Sequence, residues 1–302
     1  MNKHFYLSMQ KTLLPSRSTW IHLRFLYSLY LLPVFLFALS QSPIWNVMDM
    51  IMVFLVLHLF IYPASNGYNS YFDKDETSIG GVKIPPKVDI SLLYASWFLD
   101  IFGTLWAFWI RWEFGLGVLI YGIFSKLYSN PKTRLKSRPI ISFLIVFFFQ
   151  GAFIFCISLL ALTKISFLDL FSRETLLEAL FASCIIGAMY IMTQVYQHKE
   201  DQMRGDITLS ALLGYRGTFI FSGICFGLAL GILVFLTSGR TLFVFSFLAF
   251  TFPLVVFFLY WFFRVWKSTD QANFSNTMRM STLSFLCLSA YFIYLIWLHK
   301  VW

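Results

Sequence analysis

Long apolar runs separated by short polar interruptions make up most of the chain. Hydropathy divides it into nine candidate membrane helices: Trp20 to Leu39, Val47 to Tyr62, Ile90 to Ile110, Phe114 to Leu127, Ile140 to Thr163, Leu176 to Tyr196, Thr218 to Leu236, Thr241 to Phe263 and Ser281 to Leu298. A membrane-spanning helix needs about 20 residues, so the second and fourth runs are short as they stand. Both are expected to continue as helix into the polar residues that follow, which puts Asn66 and Lys126 on helical turns. Pro33 and Pro253 interrupt apolar runs, where a missing N–H and a ring clash predict kinks. The pattern predicts an all-α, polytopic helical bundle around a central cavity. Residues 1–19, with Lys3, Lys11 and Arg17, form a basic arm, and residues 20–302 form a single membrane domain.

Composition agrees with this. Hydrophobic residues make up 59% of the 302, charged residues 12%, Phe alone occurs 37 times and mean hydropathy is +0.73. A soluble core of that size needs a polar shell that this chain lacks. Cys156, Cys184, Cys225 and Cys287 all fall in apolar runs without metal-ligand spacing, so they read as small buried hydrophobes. The net charge of +9 has no soluble basic module to carry it, which excludes nucleic acid and favours membrane lipids and an anionic substrate. With the N-terminus inside, 18 of the 23 Lys and Arg fall on the cytoplasmic side. That positive-inside asymmetry supports an odd number of spans.

Two polar stretches break the apolar background. In the first, residues 66–87, Asn66, Asn69 and Asp73 stand at i, i+3 and i+7 and share one face if the preceding helix continues; Asp75 and Glu76 follow. In the second, residues 194–208, Gln194, Gln197 and Asp201 repeat the spacing, flanked by Glu200 and Asp206. Both are trailed by glycine, Gly80 and Gly81 in one and Gly205 in the other. Carboxylates at the ends of membrane helices must find water, cations or metal, and oxygen-only ligands favour magnesium or calcium over zinc. Two matched stripes suggest half-sites facing one ligand, so Asp73 and Asp201 are expected to converge on it.

On the same predicted membrane face, Lys132, Arg134, Lys136 and Arg138 crowd one short loop. They anchor topology and attract anionic lipid, and they also suit a phosphorylated substrate. Metal-binding acids, adjacent cations and an apolar interior describe a site for an amphiphile with a diphosphate head and a hydrocarbon tail. Magnesium and Lys or Arg neutralise charge growing on a leaving diphosphate. Aromatic rings, 21% of the chain, can stabilise the carbocation left behind.

These residues resemble the UbiA superfamily of intramembrane prenyltransferases. Asn69-Ser-Tyr-Phe-Asp73 is similar to the start of that family's NxxxDxxxD motif, Glu200-Asp201 with Gly205, Asp206 and Thr208 to its second DxxxD motif and trailing Gly-x-x-Thr, and Tyr128 to Lys132 to its YxxxK loop. The resemblance implies magnesium-dependent transfer of a prenyl group from a prenyl diphosphate to a lipophilic, usually aromatic acceptor, in a multi-pass protein of the cell (inner) membrane. It implies Asn69, Asp73, Glu200, Asp201 and Asp206 as metal-site residues, and Asp75 and Glu76 lie close enough to Thr77 to substitute for the acid missing there. Asn66, Asn69, Tyr128, Lys132, Arg134, Gln194 and Gln197 would contact substrate, with Asp73, Asp201 and Lys132 central to the reaction.

This chain departs from the family pattern at Thr77, where the first motif usually has its last Asp, and at Gln197, where the second has its first. Neither Lys83 nor Lys87 is a tight match for the basic residue that commonly follows the first motif. A terpene cyclase of the same superfamily, an ion-coupled transporter and a lipid-binding membrane protein are the alternatives. His22 and Arg24, near the start of the first span, are expected as interfacial anchors, with a reach toward the cytoplasmic site as the second reading, and His198 either as a solvent-exposed residue or as an acid or base beside Glu200. Asp100 and Gln150, inside apolar spans, are expected to face the bundle interior.

Overall fold

The computed structural model describes residues 14–42, 46–163, 165–238 and 240–301. Lys3 and Lys11 of the basic arm, and Lys164, lie outside the described residues. The described chain is carried by α1 (Arg17–Ser40), α2 (Val47–Asp73), α3 (Ile90–Ile110), α4 (Trp112–Ser129), α5 (Pro139–Leu162), α6 (Arg173–Thr193), the short α7 (His198–Arg204), α8 (Leu209–Leu236), α9 (Thr241–Lys267) and α10 (Phe274–Val301). The all-α expectation holds: the only β pairing among the described residues is the isolated bridge Ile79–Val82.

Eight of these helices are long and apolar enough to cross a membrane. The expected fourth span forms a helix, α4, 18 residues long, but it is not among the eight. Glu113, Lys126 and three glycines keep it less apolar than the others. The extensions expected for the short runs are found, α2 running through Asn66 to Asp73 and α4 through Lys126 to Ser129. The seventh span begins at Leu209 rather than Thr218. Its first turns precede a kink at Gly214, where φ is +66°, a conformation open to glycine at little cost.

Prolines act differently at the two expected kinks. Pro33 sits in the first turn of Leu32–Ser40, after a 3-10 turn over Leu29–Leu31, so α1 is rebuilt around it. Pro253 lies inside α9, which continues through it.

By contacts, the chain divides into two compact units, one of residues up to Leu29 with Phe54–Arg134, the other of Tyr30–Val53 with residues from Leu135 on. In the first, α2 and α3 pack closely because Gly67 leaves no room for a Cβ beside Ser96 and Leu92, and Gly103 lies equally tight on Phe60 and Ile61. Val56, Leu57, Ile61, Leu92 and Phe114 are fully buried there. In the second, Phe37, Phe155, Phe181 and Phe292 form an aromatic cluster with ring centroids 4.8–6.3 Å apart. Gly151 of α5 rests on the Ser183 backbone of α6. Ser183 Oγ donates to Phe147 O at 2.7 Å and accepts from Ala152 N at 2.9 Å. A side chain from α6 thus enters the backbone ladder of α5, which accounts for the π-helical stretch Phe147–Phe153 that holds Gln150.

Outward faces are apolar, with Trp109, Phe245, Phe252 and Leu105 more than half exposed, as lipid contact requires. The four cysteines are free; Cys184, Cys225 and Cys287 are buried and Cys156 partly so.

At the entry to α3, Asp89 is the N-cap. It accepts from Ser91 N at 2.8 Å and from Ser16 Oγ at 2.5 Å. Burial opposes its ionised form, but these hydrogen bonds outweigh that and hold its carboxyl below the ordinary value. Asp89→Ala is expected to cost about 0.5–2 kcal/mol, the range for losing such a cap, read as a lower unfolding midpoint in detergent.

Candidate active site

The first unit holds the Asn66–Asp73 segment. Because α2 runs unbroken to Asp73, Asn66, Asn69 and Asp73 share a face as the spacing predicts. Lys74 then ends the helix in the left-handed region, φ 50°. Asp73 therefore stands at a helix C-terminus, where the backbone carbonyls add partial negative charge to its carboxylate and favour a cation.

Three cross-links fasten this segment to α4 and the residue after it. Ser65 Oγ meets Ser125 Oγ at 2.6 Å, Asn69 Nδ2 donates to Ser129 Oγ at 2.9 Å, and Asn130 Nδ2 donates to Tyr68 OH at 3.0 Å. With its amide nitrogen engaged, Asn69 keeps its carbonyl oxygen for other partners. Sequence reasoning missed Ser129 and Asn130. They sit within and beside the Tyr128–Lys132 motif, a signal that could have found them.

Residues 74–89 fold back on the start of α1. Ile79 and Val82 exchange backbone hydrogen bonds of 2.9 and 2.8 Å around Gly80 and Gly81. Gly81 has φ +83°, and a Cβ on Gly80 would fall 2.4 Å from the Tyr27 ring, so both glycines are required by the turn and its seat. His22 is fully buried, with Nε2 2.8 Å from Pro86 O. Arg24, in the left-handed region at φ 50°, donates to Asn66 O at 3.3 Å, and its buried Nε has no partner among the described residues. Both thus face protein instead of the interface: a break in α1 turns Arg24 toward the polar segment of α2, the direction of the second reading. Asp75 is half-buried, while Glu76, Thr77, Lys83 and Lys87 are exposed.

The basic loop is shaped by Asn130. Its Oδ1 accepts from Lys132 N at 2.9 Å, and its carbonyl from Arg134 N at 2.7 Å. Lys132 is exposed, Tyr128 and Arg134 are half-buried, and Arg134 takes φ 37°.

The second unit holds the Gln194–Thr208 segment, and here the expected continuous stripe is broken. α6 ends at Thr193, residues 194–197 turn, and α7 starts at His198. Gln194, 6% exposed, accepts from Ser210 N at 3.3 Å and so caps the start of α8. Gln197 precedes α7, and its backbone carbonyl accepts from Asp201 N at 2.9 Å. Gly205 closes α7 with φ 74°. Asp206, 5% exposed, donates its N–H to Asp201 O at 2.9 Å, bringing the two acidic positions onto adjacent backbone. Thr208 caps α8 through Ala211 N.

His198 is buried rather than exposed. Its Nε2 lies 2.7 Å from Ser210 Oγ and its ring stacks on Tyr215 at 4.6 Å. Burial pushes its pKa down to about 4, so the imidazole is neutral at neutral pH.

Among the described residues, no group of three or more His, Cys, Asp or Glu is drawn together as a ready metal cage. Asp100, expected to face the interior, does so in α3: it accepts from Lys126 Nζ of α4 at 2.6 Å.

Solved structures share this fold. Digeranylgeranylglyceryl phosphate synthase aligns with TM-score 0.59 and 16% identity over 93% of this chain and 98% of that one. A UbiA homolog from Archaeoglobus fulgidus bound to GPP and Mg2+ aligns at 0.64 and 15% identity, over 92% of this chain and 99% of its own. With DMAPP and Mg2+ bound it aligns at 0.65 and 13%, over 91% and 97%. No curated protein matches the sequence. The model of the UbiA prenyltransferase family matches residues 29–283, and this chain belongs to that family.

Proposed function

We propose that the protein is a magnesium-dependent intramembrane prenyltransferase that moves a prenyl group from a prenyl diphosphate to a lipophilic, aromatic acceptor, as a multi-pass protein of the cell (inner) membrane. The observation that carries this reading is the unbroken course of α2 through Asn66 and Asn69 to Asp73, in a chain of this family. Relatives of the same fold bound to GPP or DMAPP with Mg2+ support the choice of substrate and ion.

The donor set fits magnesium. That ion is usually held by one or two carboxylates plus substrate phosphates rather than by an all-protein cage, which suits carboxylates at helix ends that, among the described residues, form no preassembled cluster. In the first unit Asp73, Asp75 and Asn69 would hold an ion, with exposed Glu76 reaching it through water; in the second, Asp201, Glu200 and Asp206 are the candidate ligands. When bound, the ion neutralises charge on the departing diphosphate.

The chain's own residues do the rest. Asn69 is oriented by Ser129, and Asn66 is held by Arg24 through its backbone. Tyr128, Lys132 and Arg134 supply a polar, cationic rim for phosphate, and Gln197 offers an uncharged carbonyl where relatives carry a carboxylate. The apolar helices exclude water, so a carbocation formed as the C–O bond breaks meets the acceptor, which then loses a proton, before it meets water.

The test is pyrophosphate release by purified protein with a panel of prenyl diphosphates, with and without magnesium. Release that needs both metal and an aromatic acceptor is expected. Release without acceptor, yielding cyclic or hydroxylated hydrocarbon, would replace the transferase by a cyclase. Because Lys132 is exposed, Lys132→Ala should weaken apparent affinity for the diphosphate only about 1.4- to 5-fold, the scale of a screened contact worth 0.2–1 kcal/mol. An unchanged KM would leave Lys132 as a lipid anchor.

A further inference from the structure

In the second unit, the later turns of α9 carry an outward stripe of apolar side chains. Phe252, Val256, Leu259 and Phe263 stand at i, i+4, i+7 and i+11 on one face and are 45–66% exposed. At the end of the stripe the chemistry changes. By helical geometry Trp266, 47% exposed, lies to one side of it, and the exposed Lys267 and Arg264 lie to the other. Aromatic and basic residues at the end of a hydrocarbon-facing stripe mark the depth of the lipid headgroups.

Two arginines are seated there on rings. Arg216 of α8 donates from Nη2 to Trp266 O at 2.9 Å, and its guanidinium lies 4.7 Å from the centre of the Trp266 ring. Trp266 O belongs to the last turn of α9, whose carbonyls have no partner within the helix, so Arg216 also caps that end. Arg264 donates from Nη1 to Tyr260 OH at 2.7 Å and lies 5.7 Å from the centre of that ring. Both arginines are exposed, and each keeps further N–H donors for another partner. Among the described residues, neither they nor Lys267 form an ion pair. Asp270, in the turn after α9, accepts from Ser268 Oγ at 3.4 Å.

We propose that this end of α9, together with Arg216, binds an anionic glycerophospholipid of the surrounding leaflet. Its phosphate sits at the head of the stripe between Arg216 and Lys267, with Arg264 alongside, and its acyl chains run along Phe263, Leu259, Val256 and Phe252. Charge and shape choose the occupant. Three cations without a carboxylate call for an anion, and the apolar stripe leading from them calls for hydrocarbon on the same molecule. A soluble phosphate would make no use of the stripe, and phosphatidylcholine would bring a fourth cation. Guanidiniums already seated on rings lose less freedom when they bind. The site lies at the end of the helices where α8 begins, directly after the Gln194–Thr208 segment, because Arg216 pins the end of α9 just past the Gly214 kink. Such binding needs nothing of the proposed prenyl transfer and stands or falls apart from it.

The test is a titration of the full-length protein with phosphatidylglycerol, read by native mass spectrometry, with phosphatidylcholine as the reference lipid. Phosphatidylglycerol is expected to bind more tightly. A basic residue near an anionic lipid surface is worth about 1 kcal/mol, or about fivefold in affinity. Arg264→Gln and Arg216→Gln should each weaken phosphatidylglycerol binding by about that factor, and the two together about 25-fold, with phosphatidylcholine binding unchanged. Trp266→Leu keeps every charge but removes the ring that seats Arg216, so it should cost about 2- to 5-fold, the scale of an exposed cation–ring contact. Arg279→Gln, at an exposed position of α10, should change neither lipid's binding. If Arg216→Gln, which also loses the cap of α9, does not fold, Arg264→Gln decides alone, since its partner Tyr260 is itself exposed.

Phosphatidylglycerol binding that is the same in the parent and in the Arg264→Gln variant overturns the proposal. So does a loss in Arg279→Gln as large as that in Arg264→Gln, which would reduce the effect to diffuse attraction between the lipid and any basic residue. Displacement of phosphatidylglycerol by glycerol phosphate at a similar concentration would assign the cations to a soluble phosphate and defeat the lipid reading as well.

Discussion

Asp73→Asn or Asp201→Asn is expected to lower turnover of prenyl diphosphate roughly 10²- to 10³-fold while leaving the fold intact. Each substitution keeps the shape of the side chain and removes one negative charge where leaving-group charge develops, an effect on the scale of about 2.7–4 kcal/mol for a single electrostatic contact. Asp73 has added reason to matter: it is the last residue of α2, so the helix end strengthens its pull on a cation. Asp201 is set differently, in the first turn of α7, with its backbone carbonyl bonded to Asp206 N. Losing the charge there should cost magnesium affinity as well as rate. The measurement is kcat against magnesium concentration for both variants, with circular dichroism as the check on folding. Full activity in both would end the proposed mechanism. Gln197→Asp probes the same segment from the other side. A change in which diphosphate is preferred marks the amide as an adaptation, whereas raised activity with unchanged preference marks it as a weak ligand.

Much of the helical layout was legible because hydropathy and spacing are local. The i, i+3, i+7 arrangement of Asn66, Asn69 and Asp73 fitted one helix, and α2 is one helix there. The same spacing misled at Gln194, Gln197 and Asp201. Period alone cannot show that α6 stops at Thr193 and that Gln194 leaves the stripe to cap Ser210 N. The start of α8 was missed for a related reason. Ser210, Gly214, Tyr215 and Arg216 dilute its hydropathy, and Gly214 kinks it at φ +66° without ending it. Burial of His198 could not be read from neighbours in sequence, since Ser210 and Tyr215, which enclose it, lie 12 and 17 positions away. Anchoring was favoured over a reach to the site for Arg24 because nothing local signals that a left-handed residue breaks α1 and aims the guanidinium at Asn66 O. The Asp100 partner was within reach, however. α3 and α4 are consecutive, each carries one opposite charge inside its span, and charges in lipid pair with one another.

That pair should show the largest loss of stability from a single side-chain truncation. Lys126 Nζ lies 2.6 Å from Asp100 Oδ2, with the two side chains 15% and 13% exposed, and also lies over the Trp97 ring at 4.7 Å and the Tyr68 ring at 5.7 Å. Gly122 makes the approach possible: a Cβ there would stand 3.1 and 3.3 Å from the Asp100 carboxylate oxygens. Lys126→Ala removes the cation and strands a carboxylate inside the protein, which costs about 3–5 kcal/mol when a buried pair is broken from one side. The lost ring contacts add about 0.5–2 kcal/mol. Asp100→Leu alone should cost a similar amount, because it strands the ammonium. The double variant Asp100→Leu, Lys126→Met should recover most of the loss, since replacing both members by apolar groups of similar volume is close to neutral. Thermal unfolding of the three variants in one detergent gives the coupling directly. A Lys126→Ala protein as stable as the parent, or a double variant worse than either single one, would refute the pairing. Because Lys126 lies over Tyr68, whose hydroxyl accepts from Asn130, the single Lys126 variant should also loosen the α2 segment that presents Asn69 and Asp73. The double variant keeps an apolar stem beneath that ring, so it should regain turnover together with stability.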